Sequence, residues 1–419
     1  MIPLLVLGCV RPPAAPMPLE PVTVSAARAM PVPALVARVE IAAVGDIMMH
    51  DSIKQAARRS DVAGPDGLSQ NHSGYAALFD AVRQPLSEAD LTFGNMEFPV
   101  APDSVRSTGS MVFNAPEPVL TALSDAGFDV VSFANNHVYD QGTAGFVETI
   151  NRLDASPLDY LGAGMDCERA KAAQIYEING IKIGFIAGSR LYNTYNEPQE
   201  GQGCSFKITD HTEVVERAAE ARAAGAEIVL LSIHWGVEYR NAPHKWDVEL
   251  AHRILDGGVD GIIGHHPHVL QPVEIYEAAD GRMTFVAYSL GNFISGQGYH
   301  YRHGLHHPHV GNTRDGAILR FSVVRKDYGH DVQRVELAEL TVDPLWVNRH
   351  KRGNNPRTQP VVARLAAVEL LGEIEAAGDS VALQAELGLL MDRRAHAGSI
   401  LGEQWLYPMD EAPVVPPAE

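Results

Sequence analysis

The chain has 419 residues, of which 46% are hydrophobic and 20% are charged, so it is long enough to bury a large core. It has 33 Lys and Arg residues against 52 Asp and Glu residues, which gives a formal net charge of -19. An acidic chain repels nucleic-acid phosphates at long range, so nucleic acid is excluded as an expected partner, whereas bound cations would still permit an anionic substrate.

The N-terminus has the pattern of a lipoprotein signal. An apolar run ends at Gly8 and Cys9, which predicts a signal remnant over residues 1–10. Because no basic region precedes the run, a misassigned start or an apolar N-terminus without function is the alternative. Residues 11–36 are rich in Pro and Ala without helical or strand period, which is typical of an extended tether. We therefore expect export to the cell envelope, periplasmic or outer surface, with membrane attachment only through lipid on Cys9.

The three cysteines are Cys9, Cys167 and Cys204. No two of them form a CxxC pair, so a thiolate zinc site is not expected. If Cys9 carries lipid, Cys167 and Cys204 are left as candidates for a disulfide in an oxidising compartment. The sequence leaves this pairing open.

Short β-rich runs alternate with helical patterns over the first two thirds of the chain. Strands are predicted at 39–44, 89–93, 128–133, 182–186, 227–233 and 259–263. Helices are predicted at 114–127 and 212–225, with helical spacing also at 75–82 and 246–254. Such alternation implies crossover connections and largely parallel sheets.

The pattern changes after Gln271. Consecutive strands are predicted at 273–276, 283–288, 317–324 and 335–340, which indicates antiparallel or mixed pairing in the second half of a sandwich. Residues 360–406 have a helical pattern, and the Pro-rich tail after Tyr407 is expected to fray. We therefore predict one domain over residues 37–345, followed by a helical C-terminal extension with a frayed tail over residues 346–419.

Ligand-type side chains follow five of the predicted strands. They are Asp46, Asn95 with Glu97, Asn135 with Asn136 and His137, His234, and His265 with His266 and His268. In open α/β sheets, ligands bind outside the carboxyl ends of the strands, so these side chains are expected at one edge. Taken singly, a Gly-Asp turn, an Asn-x-Glu segment and a strand-end His are all common outside metal sites.

Two of these segments carry a stronger signal. Three imidazoles within residues 265–268 are costly after an apolar strand unless they bind something. Imidazole suits zinc, iron or nickel, whereas carboxylates suit manganese or magnesium. Asp140 follows His137 by three residues, so it can orient the ring and stabilise its protonated form, although a turn with Asx hydrogen bonds is the alternative. The whole set provides enough ligands for a two-metal centre, in which the cations stabilise the attacking and the leaving oxygen of a displacement at phosphorus.

The order of the motifs resembles that of the CapA family, the poly-γ-glutamate capsule-synthesis proteins. The motifs are Gly45-Asp46, Gly94 to Glu97, Ala134 to Asp140, His234 to Tyr239, Gly264 to His268 and Tyr288 to Phe293. The resemblance covers about residues 39–325. That family is similar to the calcineurin-like metallophosphoesterases, which implies an α/β fold with a four-layer αββα sandwich and two metals.

The resemblance also implies a role for each motif residue. The metal ligands would be Asp46, Glu97, Asn136, His234, His266 and His268, and the additional candidates are His50, Asn95, Asn135, His265 and Glu238. His137 would act as a general acid that Asp140 steers. Phosphoesterases have a His two residues after the first Asp, where this chain has Met48, so His50 is a candidate to replace it. Whether one or two ions bind therefore stays open.

These expectations describe a metal-dependent hydrolase that uses one or two divalent ions, Mn, Zn, Fe or Mg. Its substrate would be a phosphoester or an amide of a cell-surface polymer. The alternative is a non-catalytic factor that binds an anionic polymer through the metal, beside a membrane synthase complex.

Three further features lie near the expected site. The loop 296–315 contains His300, His303, His306, His307 and His309. We expect a mobile surface loop, with a lid, an extra metal site and a pH-sensitive flap as alternatives. Gly291-Asn292 is compatible with a substrate-facing turn or a hairpin. Arg190 and Arg240 are candidate contacts for an anionic substrate.

Overall fold

The computed structural model describes residues 32–61, 72–104, 111–194, 199, 201–352, 355–377 and 380–409. The predicted signal remnant, most of the predicted tether and the tail from residue 410 lie outside these ranges. In the described ranges no helix is long and apolar enough to cross a membrane.

The strands and helices follow one another along the chain largely as the alternating pattern predicts. The strands are β1 (Ala34–Ile47), β2 (Leu91–Met96), β3 (Val130–Ser132), β4 (Asp159–Leu161), β5 (Ala163–Gly164), β6 (Gln174–Ile178), β7 (Ile181–Ser189), β8 (Cys204–Ser205), β9 (Ile228–His234), β10 (Gly261–His265), β11 (Val273–Glu277), β12 (Met283–Ala287), β13 (Asn292–Ile294), β14 (Asp315–Asp327), β15 (Gln333–Arg352) and β16 (Asn355–Val362). The helices are α1 (Asp51–Ser60), α2 (His72–Ala76), α3 (Arg83–Ser87), α4 (Pro118–Asp125), α5 (Gly142–Asp154), α6 (Cys167–Lys171), α7 (Thr212–Ala223), α8 (Lys245–Asp256), α9 (Ala363–Ala377) and α10 (Val381–Leu401). Short 3₁₀ turns lie at Asp80–Val82, Pro102–Ser104, Pro308–Arg314 and Glu403–Trp405.

Two large sheets form the centre of the molecule. The first has the order β16-β15-β14-β1-β2-β3-β4, and β13 pairs with the end of β1. The second has the order β11-β12-β10-β9-β7-β6. Strands β1 to β4 pair in parallel, as do β7, β9, β10 and β12, whereas β14 to β16 pair antiparallel. The sheets are thus parallel where strands alternate with helices and antiparallel where strands follow one another.

The alternation of side chains in β1 shows how the layers are built. Val39, Ile41 and Ala43 belong to the buried core between the two sheets, whereas Ala42 and Val44 face the helices on the other side. Successive side chains of a strand point to opposite faces, so a strand buried on both faces is apolar throughout. Separate apolar cores join the first sheet to α1–α5 and the second sheet to α7 and α8. This arrangement confirms the four-layer αββα sandwich.

The C-terminal extension starts differently from the prediction. β15 runs through residue 345 to Arg352, and β16 pairs with it, so the helical part begins at Ala363 rather than at residue 346. Pro356 and Pro360 lie within β16, although proline usually interrupts a sheet. Proline is tolerated on an edge strand, however, and β16 is the last strand of the first sheet. At the other end of the domain, β1 already starts at Ala34, inside the predicted tether.

Two buried ion pairs hold the C-terminal helices on the first sheet. Arg364 Nε of α9 donates to Asp343 Oδ1 at 2.6 Å, and Arg393 Nε of α10 donates to Asp315 Oδ1 at 2.9 Å. All four side chains are almost fully buried, so removal of one partner would leave an uncompensated charge. The helical extension is therefore packed as part of the domain.

A disulfide joins Cys167 at the start of α6 to Cys204 in β8. β8 pairs antiparallel with β5, so the bond closes a small two-stranded unit beside the second sheet. The pairing that the sequence left open is therefore present in the fold.

Candidate metal centre

The predicted strand-end residues meet in one cluster at the carboxyl edge of both sheets. Asp46 lies at the end of β1 and Asn95 near the end of β2, whereas His234 and His265 are the last residues of β9 and β10. His265 is in register with His234 across the parallel pair. The cluster therefore lies where the two sheets face each other, and its side chains are buried.

Asp46 is the most extensively hydrogen-bonded carboxylate of the cluster. Its Oδ1 accepts from Asn95 Nδ2 at 2.8 Å, and its Oδ2 accepts from the backbone N–H of His266 at 3.2 Å and lies 3.1 Å from His268 Nδ1. Burial opposes ionisation of Asp46, but the adjacent imidazoles of His265 and His268 outweigh it and hold the pKa of this carboxyl well below its usual range. Asp46 is therefore an anionic oxygen donor at neutral pH.

Glu97 follows β2 and lies in the middle of the imidazoles. Its Oε1 is 3.7 Å from His234 Nε2, 3.7 Å from His268 Nε2 and 4.0 Å from His137 Nε2. Neither carboxylate oxygen has a hydrogen-bond partner in the described part of the chain, although the side chain is fully buried. Such a carboxylate is costly to bury unless something positive pairs with it.

The electrostatic surroundings of Glu97 oppose its charge. Burial, followed by the charges of Asp46, Glu238 and Asp140, raises the pKa of the Glu97 carboxyl well above its usual range. A cation held beside Glu97 would reverse this effect, because it favours the ionised form. The raised pKa thus indicates that the protein groups around Glu97 do not neutralise the charge of its ionised carboxylate.

Several ring nitrogens around Glu97 are also unpaired. His265 Nδ1 and Nε2, His266 Nδ1 and His268 Nε2 are buried and have no hydrogen-bond partner among the described residues. An unsatisfied buried polar group costs about 1–3 kcal/mol, so native proteins rarely cluster them without a ligand. The unpaired atoms of His266, His268 and Glu97 lie close enough to share a divalent cation, whereas His265 Nδ1 lies 3.5 Å from Asp46 Oδ1.

Two groups of side chains can hold such a cation. In each group the ligand atoms lie within 4.8 Å of one another: Glu97, His266 and His268 form the first, and Asp46, Glu97 and His234 form the second. Glu97 belongs to both groups. Mixed imidazole and carboxylate donors suit divalent first-row metals. The buried residues are therefore compatible with a metal site.

His234 is held by amides on two sides. Its Nε2 lies 3.0 Å from Asn136 Oδ1, and its Nδ1 lies 3.4 Å from Asn95 Nδ2. Burial, and then the charge of His266, lowers the pKa of His234 well below its usual range. The imidazole is therefore neutral at physiological pH, which is the form that binds metals.

The turn 265–268 places its imidazoles with an unusual backbone. His266 and His268 have φ values of 97° and 57°, in the left-handed region that residues with a Cβ rarely adopt. Strain of this kind persists where the surrounding structure imposes it, and it is frequent at functional sites. The turn also directs the His266 N–H to Asp46, so backbone and side chains of this segment contact the same carboxylate.

His137 and Asp140 form a close pair beside the cluster. His137 Nδ1 lies 2.8 Å from Asp140 Oδ2, and the same oxygen accepts from the backbone N–H of Phe113 at 2.6 Å. The Phe113 ring packs against the imidazole at 4.4 Å between centroids. His137 Nε2 consequently faces Glu97, which is an arrangement suited to proton transfer at the edge of the cluster.

The amides of Asn95 and Asn135 connect the strand ends to one another. Asn135 Nδ2 donates to Asn95 Oδ1 at 3.3 Å and to the Met96 carbonyl at 2.9 Å, and Asn135 Oδ1 accepts from the His137 N–H at 3.1 Å. Their hydrogen-bonding groups are thus occupied by protein partners. Both residues orient neighbours of the cluster and lie outside the two metal-holding groups.

His50 and Glu238 lie close to the cluster but outside both groups. His50 Nδ1 accepts from the Gly296 N–H at 3.1 Å. Burial, followed by the charges of His268 and His137, lowers the pKa of His50 to about 4. Met48 is buried in the core on the helical side of the first sheet, so the place of the phosphoesterase His is taken by an apolar side chain.

The remaining charged candidates are less close to the centre. Arg190 Nη1 lies 3.8 Å from Asp247 Oδ1, and Arg240 is exposed. The five imidazoles of the loop 296–315 are exposed, and one of them, His303, pairs with Asp392 at 2.8 Å. None of these side chains belongs to the groups that can hold a metal among the described residues.

Two residues that contact the cluster were not predicted as part of it. Asn193 accepts from Asn136 Nδ2 at 3.3 Å and lies 3.4 Å from both ring nitrogens of His137. Asn292 contacts His268 through its amide oxygen at 3.1 Å. Of the two alternatives for Gly291-Asn292, the hairpin is wrong, because β13 starts at Asn292 and pairs in parallel with β1. The motif around Asn292 carried a signal, whereas nothing in the sequence marked Asn193.

A family model named bacterial capsule synthesis protein PGA_cap matches residues 40–297, which include all the strand-end residues of the cluster. The chain belongs to this family. The match ends before β14, so strands β14 to β16 and the C-terminal helices lie beyond it. It confirms the resemblance to CapA proteins that the order of the motifs indicated.

Two Bacillus proteins are similar to this PGA_cap chain. The capsule biosynthesis protein CapA of Bacillus anthracis is 29% identical over 284 residues, which cover 66% of this chain and 62% of that protein. The PGA biosynthesis protein CapA of Bacillus subtilis is 29% identical over 311 residues, covering 72% of each chain. The alignment thus spans less than two thirds of the Bacillus anthracis protein.

A solved structure, the calcineurin-like phosphoesterase YfkN from Bacillus subtilis, covers 73% of this chain and 90% of its own, with 13% identity and a TM-score of 0.37. A hypothetical protein from Thermus thermophilus has a TM-score of 0.40 and 16% identity, covering 71% of this chain and 98% of its own. At these scores the likeness adds nothing to the four-layer arrangement, which the sheets and their cores establish.

Proposed function

We propose that this PGA_cap protein is a metal-dependent hydrolase of the cell envelope. Its substrate would be a phosphoester or an amide of an anionic cell-surface polymer. The observation that carries the proposal is the buried Glu97 carboxylate, which has no hydrogen bond in the described structure and lies within 4.0 Å of three imidazole nitrogens.

In this proposal the ligands come from both sheets. Asp46 and Glu97 supply carboxylate oxygens, His234, His266 and His268 supply imidazole nitrogens, and Asn136 supplies an amide oxygen beside His234. A bound divalent cation, Mn, Zn, Fe or Mg, polarises a substrate oxygen and lowers the pKa of water. One or two ions are compatible with the overlapping groups that share Glu97.

His137 is the residue that would move a proton. Its Nδ1 is held by Asp140, so Nε2 is the atom that faces the cluster and would protonate the leaving group. Asp140 stabilises the charged imidazolium that is needed for this step. The half-buried Glu238 adds negative charge near Glu97, and we propose that it contributes to cation binding from the rim.

Two observations support a role at the cell surface. The Bacillus relatives carry the names of capsule and PGA biosynthesis proteins, which favours an anionic polymer as substrate. A membrane synthase complex as partner is part of the proposal. The Cys167–Cys204 disulfide favours an oxidising compartment, since disulfides persist outside the cytosol. Export and lipidation of Cys9 are part of the proposal, and Cys9 lies outside the described residues.

The test combines metal analysis with turnover. Purified protein should contain or bind a divalent metal and should hydrolyse a generic phosphodiester such as bis-p-nitrophenyl phosphate, or an amide of a poly-glutamate chain. His268→Ala should lose metal, and His137→Ala should keep metal while turnover falls about 10²–10⁴-fold. His252→Ala is the matched control, because this imidazole of α8 pairs with Glu274 of β11 and lies outside the metal-holding groups. Full turnover in His268→Ala would contradict the proposal.

A second candidate function is a metal-dependent polymer-binding or assembly factor without turnover. The names of the Bacillus relatives favour it, because they describe biosynthesis rather than hydrolysis. Metal binding without turnover on a broad panel of phosphoesters and amides would support this alternative. Turnover that disappears in His137→Ala would exclude it.

A further inference from the structure

Asn292 lies beside the metal-holding residues but has not been given a role. It is the first residue of β13, is fully buried, and is in register with Asp46 across the parallel pair of β13 and β1. This pairing brings a neutral amide next to a proposed carboxylate ligand. The hydrogen bonds of this amide determine what it does there.

The amide nitrogen of Asn292 is surrounded by acceptors. Its Nδ2 lies 2.8 Å from the Thr313 carbonyl, 3.0 Å from Gln297 Oε1, 3.1 Å from Ser295 Oγ and 3.3 Å from the His268 carbonyl. An NH₂ group can donate twice, and carbonyl oxygens only accept. The orientation of the amide is therefore fixed, with its nitrogen toward the segment 295–313 and its oxygen toward the His268 ring.

The amide oxygen in turn fixes the state of the His268 ring. His268 Nδ1 lies 3.1 Å from Asn292 Oδ1 and 3.1 Å from Asp46 Oδ2, and both of these atoms are acceptors. An imidazole nitrogen between two acceptors must carry the proton. His268 Nε2 then presents its lone pair, and this is the unpaired nitrogen that lies 3.7 Å from Glu97 Oε1.

We propose that Asn292 is a positioning residue that keeps the proton of His268 on Nδ1, so that Nε2 is free to bind a metal. Asp46 shares this task, but Asp46 is itself a proposed ligand. A carboxylate oxygen that binds a cation becomes a weaker hydrogen-bond acceptor. Asn292 supplies the acceptor that does not change when the cation binds, as partners behind metal-ligating imidazoles usually do.

The role of Asn292 deepens the proposed function. Only its expected effect on metal affinity rests on that proposed function. The tautomer of His268 is a property of the metal-free protein and can be measured without any metal. A failure of the metal centre and a failure of the Asn292 assignment therefore give different results.

The test uses ¹⁵N-histidine NMR of the metal-free protein to read the tautomer of His268, assigned by its loss in His268→Asn. In Asp46→Ala, Asn292 is the remaining acceptor, and we expect His268 to keep its proton on Nδ1. In the double variant Asp46→Ala/Asn292→Leu, we expect the Nε2-protonated tautomer to appear. If the double variant keeps the Nδ1 proton, the assignment is overturned.

Metal affinity supplies the second readout, by calorimetry with Mn²⁺ and Zn²⁺ on chains that retain Asp46. Asn292→Leu, which removes the acceptor at similar volume, should weaken binding about 10–100-fold. Asn292→Asp keeps an oxygen toward Nδ1 but loses the N–H donors toward Thr313 and Gln297, so it should retain the Nδ1 proton and the affinity. If Asn292→Asp weakens metal binding as much as Asn292→Leu does, the residue only anchors the segment 295–313 and the proposal is wrong.

A matched control separates positioning from loss of a buried amide. Asn348 is also buried, donates to Glu386 at 3.0 Å and lies in β15, outside the metal-holding groups. Asn348→Leu should leave the His268 tautomer and the metal affinity unchanged. If it weakens metal binding as much as Asn292→Leu does, the effect is a general loss of stability.

Discussion

Glu97 Oε1 and His268 Nε2 lie 3.7 Å apart, and neither atom has a hydrogen-bond partner in the described structure. The His268 ring donates from its other nitrogen, so Nε2 faces the carboxylate with a lone pair. Burial and the neighbouring carboxylates raise the pKa of Glu97 and so favour its neutral form, whereas a cation between the two atoms would favour the ionised carboxylate and satisfy both. The Glu97–His268 pair is therefore the contact that most directly indicates a metal site.

The first prediction concerns Glu97→Gln. The amide has nearly the same shape but no charge, so we expect metal affinity to fall about 100-fold or more. This exceeds the usual loss when the substituted residue contacts a metal ligand rather than the metal. Calorimetric titration with Mn²⁺ measures the change. Asp129→Asn is the control, because Asp129 is a carboxyl at the opposite end of β2 whose pKa is also raised by partial burial. Equal losses in both variants would contradict the assignment of Glu97.

The second prediction separates catalysis from metal binding. Asp140→Asn removes the charge that stabilises protonated His137, and we expect turnover to fall about 10–100-fold while the metal content stays unchanged. Steady-state kinetics and elemental analysis of the same preparations test this. Asp103→Asn, an exposed carboxylate that pairs with Arg152, should have no effect. Loss of metal in Asp140→Asn would mean that Asp140 belongs to the ligand set.

The part of the site that could be predicted from sequence is the part set by strand periodicity. Asp46, His234 and His265 each follow an apolar strand, and parallel pairing places the ends of such strands at one edge. The choice among the imidazoles of the turn 265–268 could not be predicted. It depends on the left-handed backbone of His266 and His268, which tertiary contacts impose.

Two other features could not be predicted from the sequence, the contact of Asn193 and the exposure of Trp246. Asn193 reaches His137 through a long-range contact that no local spacing reveals. The helical spacing predicted at 246–254 begins with Trp246, but this side chain is 57% exposed, and Lys245 covers its ring at 4.5 Å. The amphipathic pattern of α8 is instead satisfied by Leu250 and Ile254 in the outer core of the second sheet.

The third prediction tests the close approach behind the turn 265–268. A Cβ on Gly264 would lie 2.0 Å from the Tyr288 carbonyl oxygen and 2.6 Å from Trp235 Nε1. Gly264→Ala should therefore lower the free energy of unfolding by about 3 kcal/mol or more. Urea unfolding in the presence of a chelator measures this without a contribution from metal.

The control for this prediction is a glycine with room around it. A Cβ on Gly388 in α10 would meet nothing within 4 Å, so Gly388→Ala should raise the free energy of unfolding by about 0.5–1 kcal/mol. If Gly264→Ala unfolds at the same urea concentration as the parent chain, the close packing of β10 against the Tyr288 segment is wrong.

The fourth prediction concerns pH. Burial, and then the charges of His268 and His137, lowers the pKa of His50 to about 4 from its usual 6.5. Between these values the unfolded chain binds a proton at this position that the folded chain does not. Protonation of His50 in the unfolded chain therefore does not affect the free energy of unfolding above pH 6.5. It lowers the free energy of unfolding progressively as the pH falls from 6.5 toward 4.

The measurement is the thermal midpoint of the metal-free protein at pH 7 and pH 5. His50→Asn keeps an acceptor for the Gly296 N–H but cannot titrate, so the drop in midpoint between the two pH values should be smaller than in the parent chain. His330→Asn is a suitable control, because His330 is exposed and should leave the drop unchanged. An equal drop in His50→Asn and the parent chain would show that other groups cause the acid sensitivity.

The fifth prediction concerns the disulfide between Cys167 and Cys204, which are 37 positions apart in the sequence. Closing a loop of this length restricts the unfolded chain, and the chain-entropy relation gives about 4 kcal/mol of stabilisation. Cys167→Ser/Cys204→Ser should therefore unfold at lower urea concentration than the parent protein. Reduction of the parent protein with dithiothreitol should produce the same shift, and it should not shift the double variant further. A parent protein whose stability is insensitive to reductant would show that the bond is absent in solution, and the argument for an oxidising compartment would lose its structural support.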